Sequence, residues 1–200
     1  LDDLVVGGAK NNSAQLFLQQ ANNQFKQKAL LPSVKENKPN ADQGLLLLDV
    51  DGDHDLDLYI TSGGYEMAAN DASYQDQLYL NDGKGNFTQD LSALPINHTS
   101  KLCVRASDFD HDGDLDLFVS GRLEPWAYPK SVNSFIYRND TQNGKVKFTE
   151  VNPWWKTNPN SPSASKPCAP ASSAIASGFA PLTPNTQRTP TTTTGRPCHG

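Results

Sequence analysis

Aspartate is concentrated in two short runs of the sequence. The first run has aspartate at positions 49, 51, 53, 55 and 57, and the second has it at positions 108, 110, 112, 114 and 116. Carboxylates at alternate positions of a short loop can converge on one hard cation, and calcium accepts roughly six to eight oxygen ligands in flexible geometry. The runs therefore predict two calcium sites, with candidate ligands Asp49, Asp51, Asp53, Asp55, Asp57, Asp108, Asp110, Asp112, Asp114 and Asp116.

The positions within each run have different predicted roles. Positions 1, 3 and 5 supply carboxylates, and position 9, which is Asp57 or Asp116, closes the site. At position 7, Asp55 and Asp114 are expected to offer a main-chain carbonyl. Five neighbouring carboxylates repel one another without a cation, whereas two bound divalent ions would change the formal charge of the chain from −5 to −1. Folding of the loops is therefore expected to depend on calcium.

The two runs belong to a longer internal repeat. Residues 49–60 recur at 108–119, an offset of 59 positions (49 to 108). Downstream, residues 77–80 are aligned with 134–137, and Phe87 is aligned with Phe148. Because a fixed offset indicates a repeat architecture, the fold is predicted from this repeat rather than from local patterns alone.

The N-terminal stretch joins the same repeat partway through. Asp3, Gln15 and Phe25 match positions 57, 77 and 87. The chain thus holds roughly two and a half copies. The predicted boundaries are a partial copy at 1–44 and full copies at 45–103 and 104–152.

Each copy predicts a small antiparallel sheet. The runs 45–48, 58–61 and 78–80 are apolar, short and bounded by Gly, Asp and Asn, as strands are. The turn at 81–86 contains two glycines, which suit a tight hairpin. Repeated small sheets are typical of propeller blades. The predicted fold class is all-β: a fragment of a β-propeller made of short antiparallel four-stranded blades with calcium loops.

The aspartate runs have two other interpretations. Asp-rich stretches are often solvated turns, but two runs that share spacing, flanking strands and a common offset argue against that interpretation. An EF-hand needs Glu at position 12 of its loop, where this chain has Ile60 and Val119. Strands rather than helices are predicted after both loops, so the EF-hand interpretation fails.

The aspartate runs and the strand that follows each of them resemble the FG-GAP/VCBS repeat of integrin α-type propellers and of many bacterial secreted proteins. The resemblance covers about residues 1–152 and implies that each loop joins the first two strands of a blade and binds calcium. It also implies a ring of six or seven blades, so the remaining blades are expected outside this chain. His54 stands where the family usually has Gly, as at Gly113, and we expect the first site to be distorted or weaker.

Charge and composition exclude some classes of function. Residues 1–152 hold 13 basic and all 22 acidic residues, a formal charge of −9, which argues against nucleic-acid binding. No apolar run is long enough to cross a membrane. The first residue is Leu1 and the only methionine is Met67, so we expect the signal segment to lie outside this fragment. The odd cysteine count supports no disulfide framework.

Residues 153–200 differ in composition from the rest of the chain. They hold nine of the 14 prolines and no acidic residue, so their formal charge is +4. Such a Pro/Thr/Ser-rich segment is typical of a disordered linker. The abrupt loss of acidic residues equally fits an out-of-frame continuation of the coding sequence, and the two hypotheses stay open.

The sequence favours a binding module over an enzyme. It contains no Gly-x-Ser-x-Gly, His-Glu-x-x-His or Gly-x-Gly-x-x-Gly motif. We therefore expect a calcium-binding module for adhesion or for binding a protein or glycan, located outside the cell, at its surface or in the periplasm. The alternative is a non-catalytic structural portion of a larger secreted enzyme. The aromatic residues Trp126, Tyr128, Trp154 and Trp155 could bind a sugar or a protein, but packing between blades or beside a Pro-rich turn is the favoured interpretation.

Overall fold

Three antiparallel sheets make up the structure, a computed structural model that describes residues 3–30 and 38–151. The strands are Leu4–Val6 (β1), Gln15–Gln19 (β2), Phe25–Ala29 (β3), Ala41–Leu48 (β4), Asp57–Gly63 (β5), Gln77–Asn81 (β6), Phe87–Asp90 (β7), Lys101–Ser107 (β8), Asp116–Gly121 (β9), Phe135–Asn139 (β10) and Phe148–Val151 (β11). A 3-10 helix spans Ala72–Tyr74. The hypotheses on the segment 153–200 lie outside the described residues.

Each sheet is a simple meander in which consecutive strands are neighbours. Sheet 1 is β1–β3, sheet 2 is β4–β7 and sheet 3 is β8–β11, and every pairing is antiparallel. The all-β prediction with small four-stranded units is confirmed for sheets 2 and 3. The described part of the first copy contributes three strands. Sheets of this kind, repeated along the chain, are propeller-like blades.

Sheet 2 is buried on both faces, as a blade between two others must be. Successive side chains of a strand point to opposite faces. Accordingly, Leu58 and Ile60 of β5 pack with Leu16 of sheet 1, in one hydrophobic cluster. Tyr59 lies between them in sequence and packs instead with Leu117 of sheet 3, in the other cluster. The run of fully buried residues in β5 follows from this double packing.

The outer faces of sheets 1 and 3 are more exposed than the faces that meet sheet 2. Leu4 and Val6 of β1 are 50% and 52% exposed, whereas the repeat-related Leu58 and Ile60 are 0% and 1% exposed. Phe118, the counterpart of the buried Tyr59, is only partly buried. Each sheet therefore has the apolar pattern of a blade that can be covered on both sides, as the sequence predicts.

The first strand of each complete sheet carries the same irregularity. The pairing register shifts between Asp42 and Leu45 in β4, and between Lys101 and Val104 in β8. In β4 the Gly44 N–H donates to Thr61 Oγ1 at 2.7 Å, and in β8 the Cys103 N–H donates to Ser120 Oγ at 3.1 Å. A hydroxyl thus satisfies the backbone group that the bulge leaves out of the ladder.

The strand pairing corrects one part of the repeat alignment. Leu58 pairs with Tyr79 and Leu117 pairs with Tyr137, so Tyr79 and Tyr137 are counterparts. The sequence alignment, which placed 80 opposite 137, was wrong by one position. The reason is that the alignment made this connection two residues shorter in sheet 3 than in sheet 2, whereas the connection from 119 to 135 is only one residue shorter than the connection from 60 to 77.

A buried polar link joins sheets 2 and 3. Lys101 Nζ donates to the Tyr74 and Asn97 carbonyls at 2.7 Å each and lies 3.3 Å from Asp76 Oδ1. Tyr59 Oη donates to the other Asp76 oxygen at 2.8 Å. Burial raises the pKa of Asp76 to about 6, although Lys101 opposes the shift. Because each polar group here has a partner, the link fixes how sheet 3 meets sheet 2.

No helix in residues 3–30 and 38–151 is long and apolar enough to cross a membrane.

Candidate metal centres

The two aspartate runs form equivalent loops at the same end of their sheets. The first loop joins β4 to β5, and the second joins β8 to β9. In both sheets the run begins after the first strand and its ninth residue begins the second strand. Each run therefore joins the first two strands of its sheet, as the family resemblance implies.

Three carboxylates of each loop come together. In the first loop, oxygens of Asp49, Asp51 and Asp57 lie within 4.8 Å of one another. In the second loop, oxygens of Asp108, Asp110 and Asp116 meet the same limit. These residues occupy positions 1, 3 and 9 of each run. Two oxygens bound to one calcium ion can be at most about 5 Å apart, so each cluster is compact enough to share an ion.

The position-1 aspartate closes the loop on itself. Asp49 accepts hydrogen bonds from the Gly52 N–H at 2.8 Å and from the His54 N–H at 3.0 Å. Asp108 accepts from the residues at the same two positions, with distances of 2.6 and 3.2 Å. One carboxylate thus orients positions 4 and 6 in each loop. Both of these positions have positive φ, with values of +79° and +72° in the first loop.

The position-9 aspartate is buried and ties the loop to the next strands. Asp57 accepts from the Val50 N–H at 3.0 Å and from the Asn81 N–H at 2.9 Å. Asp116 accepts from the Phe109 and Asn139 N–H groups in the same way, at 3.0 and 2.8 Å. Their exposed fractions are only 1% and 2%. These residues therefore have a structural role besides any role as ligands.

Sheet 1 repeats one of these bonds. Asp3 Oδ1 accepts from the Gln19 N–H at 2.8 Å, as Asp57 Oδ1 does from Asn81. This bond confirms the alignment of Asp3 with Asp57. It also shows that the position-9 aspartate serves strand pairing in every described copy.

The carboxylates at positions 5 and 7 lie outside both clusters. Asp53 Oδ1 accepts from the Asp55 N–H at 2.9 Å, and Asp112 Oδ1 accepts from the Asp114 N–H at 3.0 Å. Each position-5 side chain therefore caps the turn that follows it. The predicted ligand role of Asp53, Asp55, Asp112 and Asp114 stays a prediction.

Burial and mutual repulsion act on the clustered carboxyl groups. The pKa of Asp51 is raised, chiefly by burial and further by the charges of Asp53 and Asp49. Burial also raises the pKa of Asp57, against the backbone N–H groups that it accepts. The pKa of Asp110 is raised by desolvation and by the neighbouring Asp112 and Asp116. The loops thus hold negative charge at close quarters.

The donor set fits calcium. All three clustered side chains in each loop offer carboxylate oxygens, which hard divalent cations prefer, and neither cluster includes a nitrogen or sulfur ligand. Zinc sites, by contrast, are usually built from His and Cys. If calcium binds, Asp49, Asp51 and Asp57 would hold one ion and Asp108, Asp110 and Asp116 the other.

The supporting role of two residues in the loops was not predicted from the sequence. Asn81 and Asn139 donate their backbone N–H groups to the position-9 aspartates, and the Asn139 side chain donates to the Val50 carbonyl at 3.2 Å. The signal was present, because the dipeptide Asn-Asp occurs at both 81–82 and 139–140. The one-position alignment error concealed that correspondence.

For two aromatic residues the structure contradicts packing between blades but not packing beside a Pro-rich turn, because Pro125 precedes Trp126 and Pro129 follows Tyr128. Trp126 and Tyr128 are 69% and 79% exposed, so they do not pack between sheets. Both lie in the β9–β10 connection, which is at the opposite end of sheet 3 from its aspartate loop. Trp154 and Trp155 lie outside the described residues.

The fold and the paired loops define an all-β repeat protein with propeller-like blades and acidic loops. Residues 49–119 match the family model of the FG-GAP-like repeat, and this segment carries FG-GAP-like repeat sequence. The match begins at the first aspartate of the first loop and ends in β9, so it includes both clusters. No curated protein matches the chain.

Proposed function

We propose that the chain binds two calcium ions, one in each aspartate loop, and that the ions hold the blades as a rigid interaction module. The observation that carries the proposal is the duplicated geometry. The same three positions of two loops, 59 residues apart (49 to 108), bring three carboxylates within 4.8 Å of one another. Solvated acidic turns would not be expected to bring carboxylates together at the same three positions of two loops.

The sites suit an environment rich in calcium. Calcium-binding modules outside cells typically have dissociation constants of roughly 10⁻⁴ to 10⁻³ M, and they stay occupied where calcium is high and steady. The FG-GAP-like repeat sequence at 49–119 supports the same setting. We therefore place the function in adhesion or in binding of a protein or glycan, outside the cell, at its surface or in the periplasm.

Calcium titration of the full chain by calorimetry tests the proposal. The wild-type chain should bind two ions, Asp51→Asn and Asp110→Asn should each bind one, and the double variant should bind none. Glu66→Gln is the matched control, because it removes one exposed negative charge from the other end of sheet 2. Loss of binding in that control, or full binding in the double variant of a folded chain, would contradict the assignment.

The same titration decides the role of position 5. If Asp53 and Asp112 ligate, Asp53→Asn and Asp112→Asn should each weaken one site. If they serve only as turn caps, as their hydrogen bonds to the next turn indicate, the number of sites and their affinities should stay close to wild type.

A further inference from the structure

A cleft lies between sheets 2 and 3 at the end opposite the aspartate loops. The β5–β6, β7–β8 and β9–β10 connections meet there and enclose about 340 Å³. Small-molecule sites typically occupy roughly 300–1,000 Å³, so the cleft is at the lower end of that range. The residues that matter for its chemistry are Asn70, Thr99, Glu124, Ser131, Asn133 and Phe135.

The lining combines neutral polar groups with an apolar wall. Asn70, Ser131 and Asn133 are exposed, and their side chains form no hydrogen bond with another described residue. Glu124 is the one carboxylate in the lining, and its Oε2 lies 2.6 Å from Lys130 Nζ. The charge of Glu124 is therefore balanced. The cleft offers amide and hydroxyl groups without an unpaired charge.

Trp126 directly follows Glu124 and Pro125, which line this cleft, and its side chain is exposed. Its indole N–H donates to the Met67 carbonyl at 3.2 Å, and its ring centroid lies 4.9 Å from that of Tyr65. These contacts hold the polar edge and one side of the ring, while the side chain stays 69% exposed. The residue is thus fixed in position and open to a ligand.

The backbone at Trp126 is strained. Its φ is +63°, a left-handed conformation that a bulky side chain rarely adopts. Such outliers are retained where the surroundings determine them, and they cluster at binding sites. Here the strained backbone presents an aromatic ring to solvent rather than to the core.

The floor of the cleft is rigid. Ser100 Oγ donates to the Gly64 carbonyl at 2.9 Å, which joins the β7–β8 and β5–β6 connections. Directly after it, Lys101 makes the buried link to Tyr74, Asn97 and Asp76. Because this floor is already ordered, ligand binding does not have to order it.

We infer that this cleft binds a neutral saccharide, with one sugar ring stacked on Trp126 and its hydroxyls hydrogen-bonded to Asn70, Ser131 and Asn133. A sugar ring has an apolar face that suits the indole and a rim of hydroxyls that suits amides and hydroxyls. A cationic or anionic ligand fits less well, because Glu124 is already paired with Lys130. The inference deepens the interaction part of the proposed function by giving its ligand class, and it rests on that part.

Binding is tested on the full chain with neutral oligosaccharides. Cellotriose, mannotriose, lactose and N-acetylchitotriose are the probes, and ligand-observed NMR and calorimetry are the readouts. At least one probe should bind with a dissociation constant of about 1 mM or below. Trp126→Ala should weaken that binding at least about tenfold, which corresponds to a loss of about 1.4 kcal/mol. Asn133→Ala, a milder change at an exposed position, should weaken it several-fold.

Tyr128→Ala is the matched control, because Tyr128 is also an exposed aromatic residue of the same connection, but neither of its sequence neighbours lines the cleft, whereas Trp126 directly follows the lining residue Pro125. It should leave saccharide binding unchanged. The inference is overturned if none of the four probes binds, if binding persists in Trp126→Ala, or if only a lysine- or arginine-rich peptide binds through Trp126.

Calcium titration of the same sample separates this inference from the calcium assignment. Two calcium sites without saccharide binding would overturn only the ligand class. Saccharide binding that depends on Trp126, in a chain that binds no calcium, would support the cleft and contradict the assignment of the loops.

Discussion

The two aspartate loops meet the same backbone requirement with opposite residues. Position 4 is Gly52 in the first loop and His111 in the second, while position 6 is His54 in the first and Gly113 in the second. All four residues have positive φ, from +65° to +100°. The requirement is therefore left-handed backbone at two positions, which Gly adopts freely and which His adopts more readily than most residues.

The loops differ in what covers them. Val50, at position 2 of the first loop, is 2% exposed and packs in the cluster shared with sheet 3, and its carbonyl accepts from Asn139 Nδ2. Phe109, at the same position of the second loop, is 43% exposed. The loop of one blade is thus supported by the blade that follows it. Among the described residues, support from the next sheet thus distinguishes the two loops in addition to the residue at position 6.

The largest effect is expected from removing the position-9 aspartate. Asp57→Ala leaves the Val50 and Asn81 N–H groups without their acceptor in a buried site, and each lost partner costs about 1–3 kcal/mol. We expect urea denaturation to show a loss of about 3 kcal/mol or more, with Asp116→Ala close behind. Asp3→Ala should cost less, because Asp3 is exposed.

The control for this series is Asp53→Ala, an exposed aspartate of the same loop whose change should stay within about 0.5 kcal/mol. Equal losses for Asp53→Ala and Asp57→Ala would mean that overall loop charge, rather than the two buried hydrogen bonds, determines stability.

Calcium should bind the first loop more tightly than the second. Val50 and Asn139 hold the first loop in place, and Asp51 is more buried than Asp110, so less ordering remains for the ion to impose. We expect Asp110→Asn, which keeps the first site, to retain the higher affinity in calorimetry. The presence of His54 in the first loop would by itself suggest the reverse order. If Asp51→Asn, which keeps the second site, binds calcium more tightly than Asp110→Asn does, the residue at position 6 is more important for affinity than the support from sheet 3.

The same pair of sites predicts the effect of a chelator on stability. An ion at 100 times its dissociation constant stabilises the fold by about 2.7 kcal/mol. Removing calcium should lower the melting temperature of the wild-type chain more than that of either single variant. A melting temperature that is independent of calcium in a chain that binds it would show that the unfolded chain binds equally well.

Substitutions at position 2 of each loop test the support from sheet 3 directly, and their expected effect on the free energy of unfolding is smaller. Val50→Ala removes buried apolar volume and should cost about 1–2 kcal/mol in denaturation, whereas Phe109→Ala removes a larger but half-exposed side chain and should cost less. A greater loss for Phe109→Ala would mean that the second loop is as well supported as the first.

The sequence was sufficient for the features that repeat. The offset between Asp49 and Asp108 predicted two equivalent loops, and the short apolar runs predicted the all-β class, whereas the place of each loop between the first two strands of a blade was implied by the family resemblance. The match of Asp3 to Asp57 followed in the same way and is confirmed by the bond to Gln19.

The features that depend on contact between sheets could not be predicted. Nothing in the local pattern indicates that Lys101 is 0% exposed and bound to groups of another sheet. The orientation of the exposed Trp126 side chain could not be predicted either. It depends on a positive φ and on a ring contact with Tyr65, which lies in a different connection between strands. Aromatic residues are usually buried, and only the structure shows this exception.

The smallest expected effect comes from the two histidines. His54 and His111 have φ values of +72° and +65°, so replacing either with Gly relieves similar strain. Part of that gain is offset because Gly makes the unfolded chain more flexible. We expect His54→Gly and His111→Gly each to raise stability by less than about 1 kcal/mol in thermal melts. Equal small gains, with calcium affinities unchanged, would show that positions 4 and 6 are equivalent requirements of the backbone. A large gain in affinity for His54→Gly alone would show instead that Gly at position 6 matters for the ion itself.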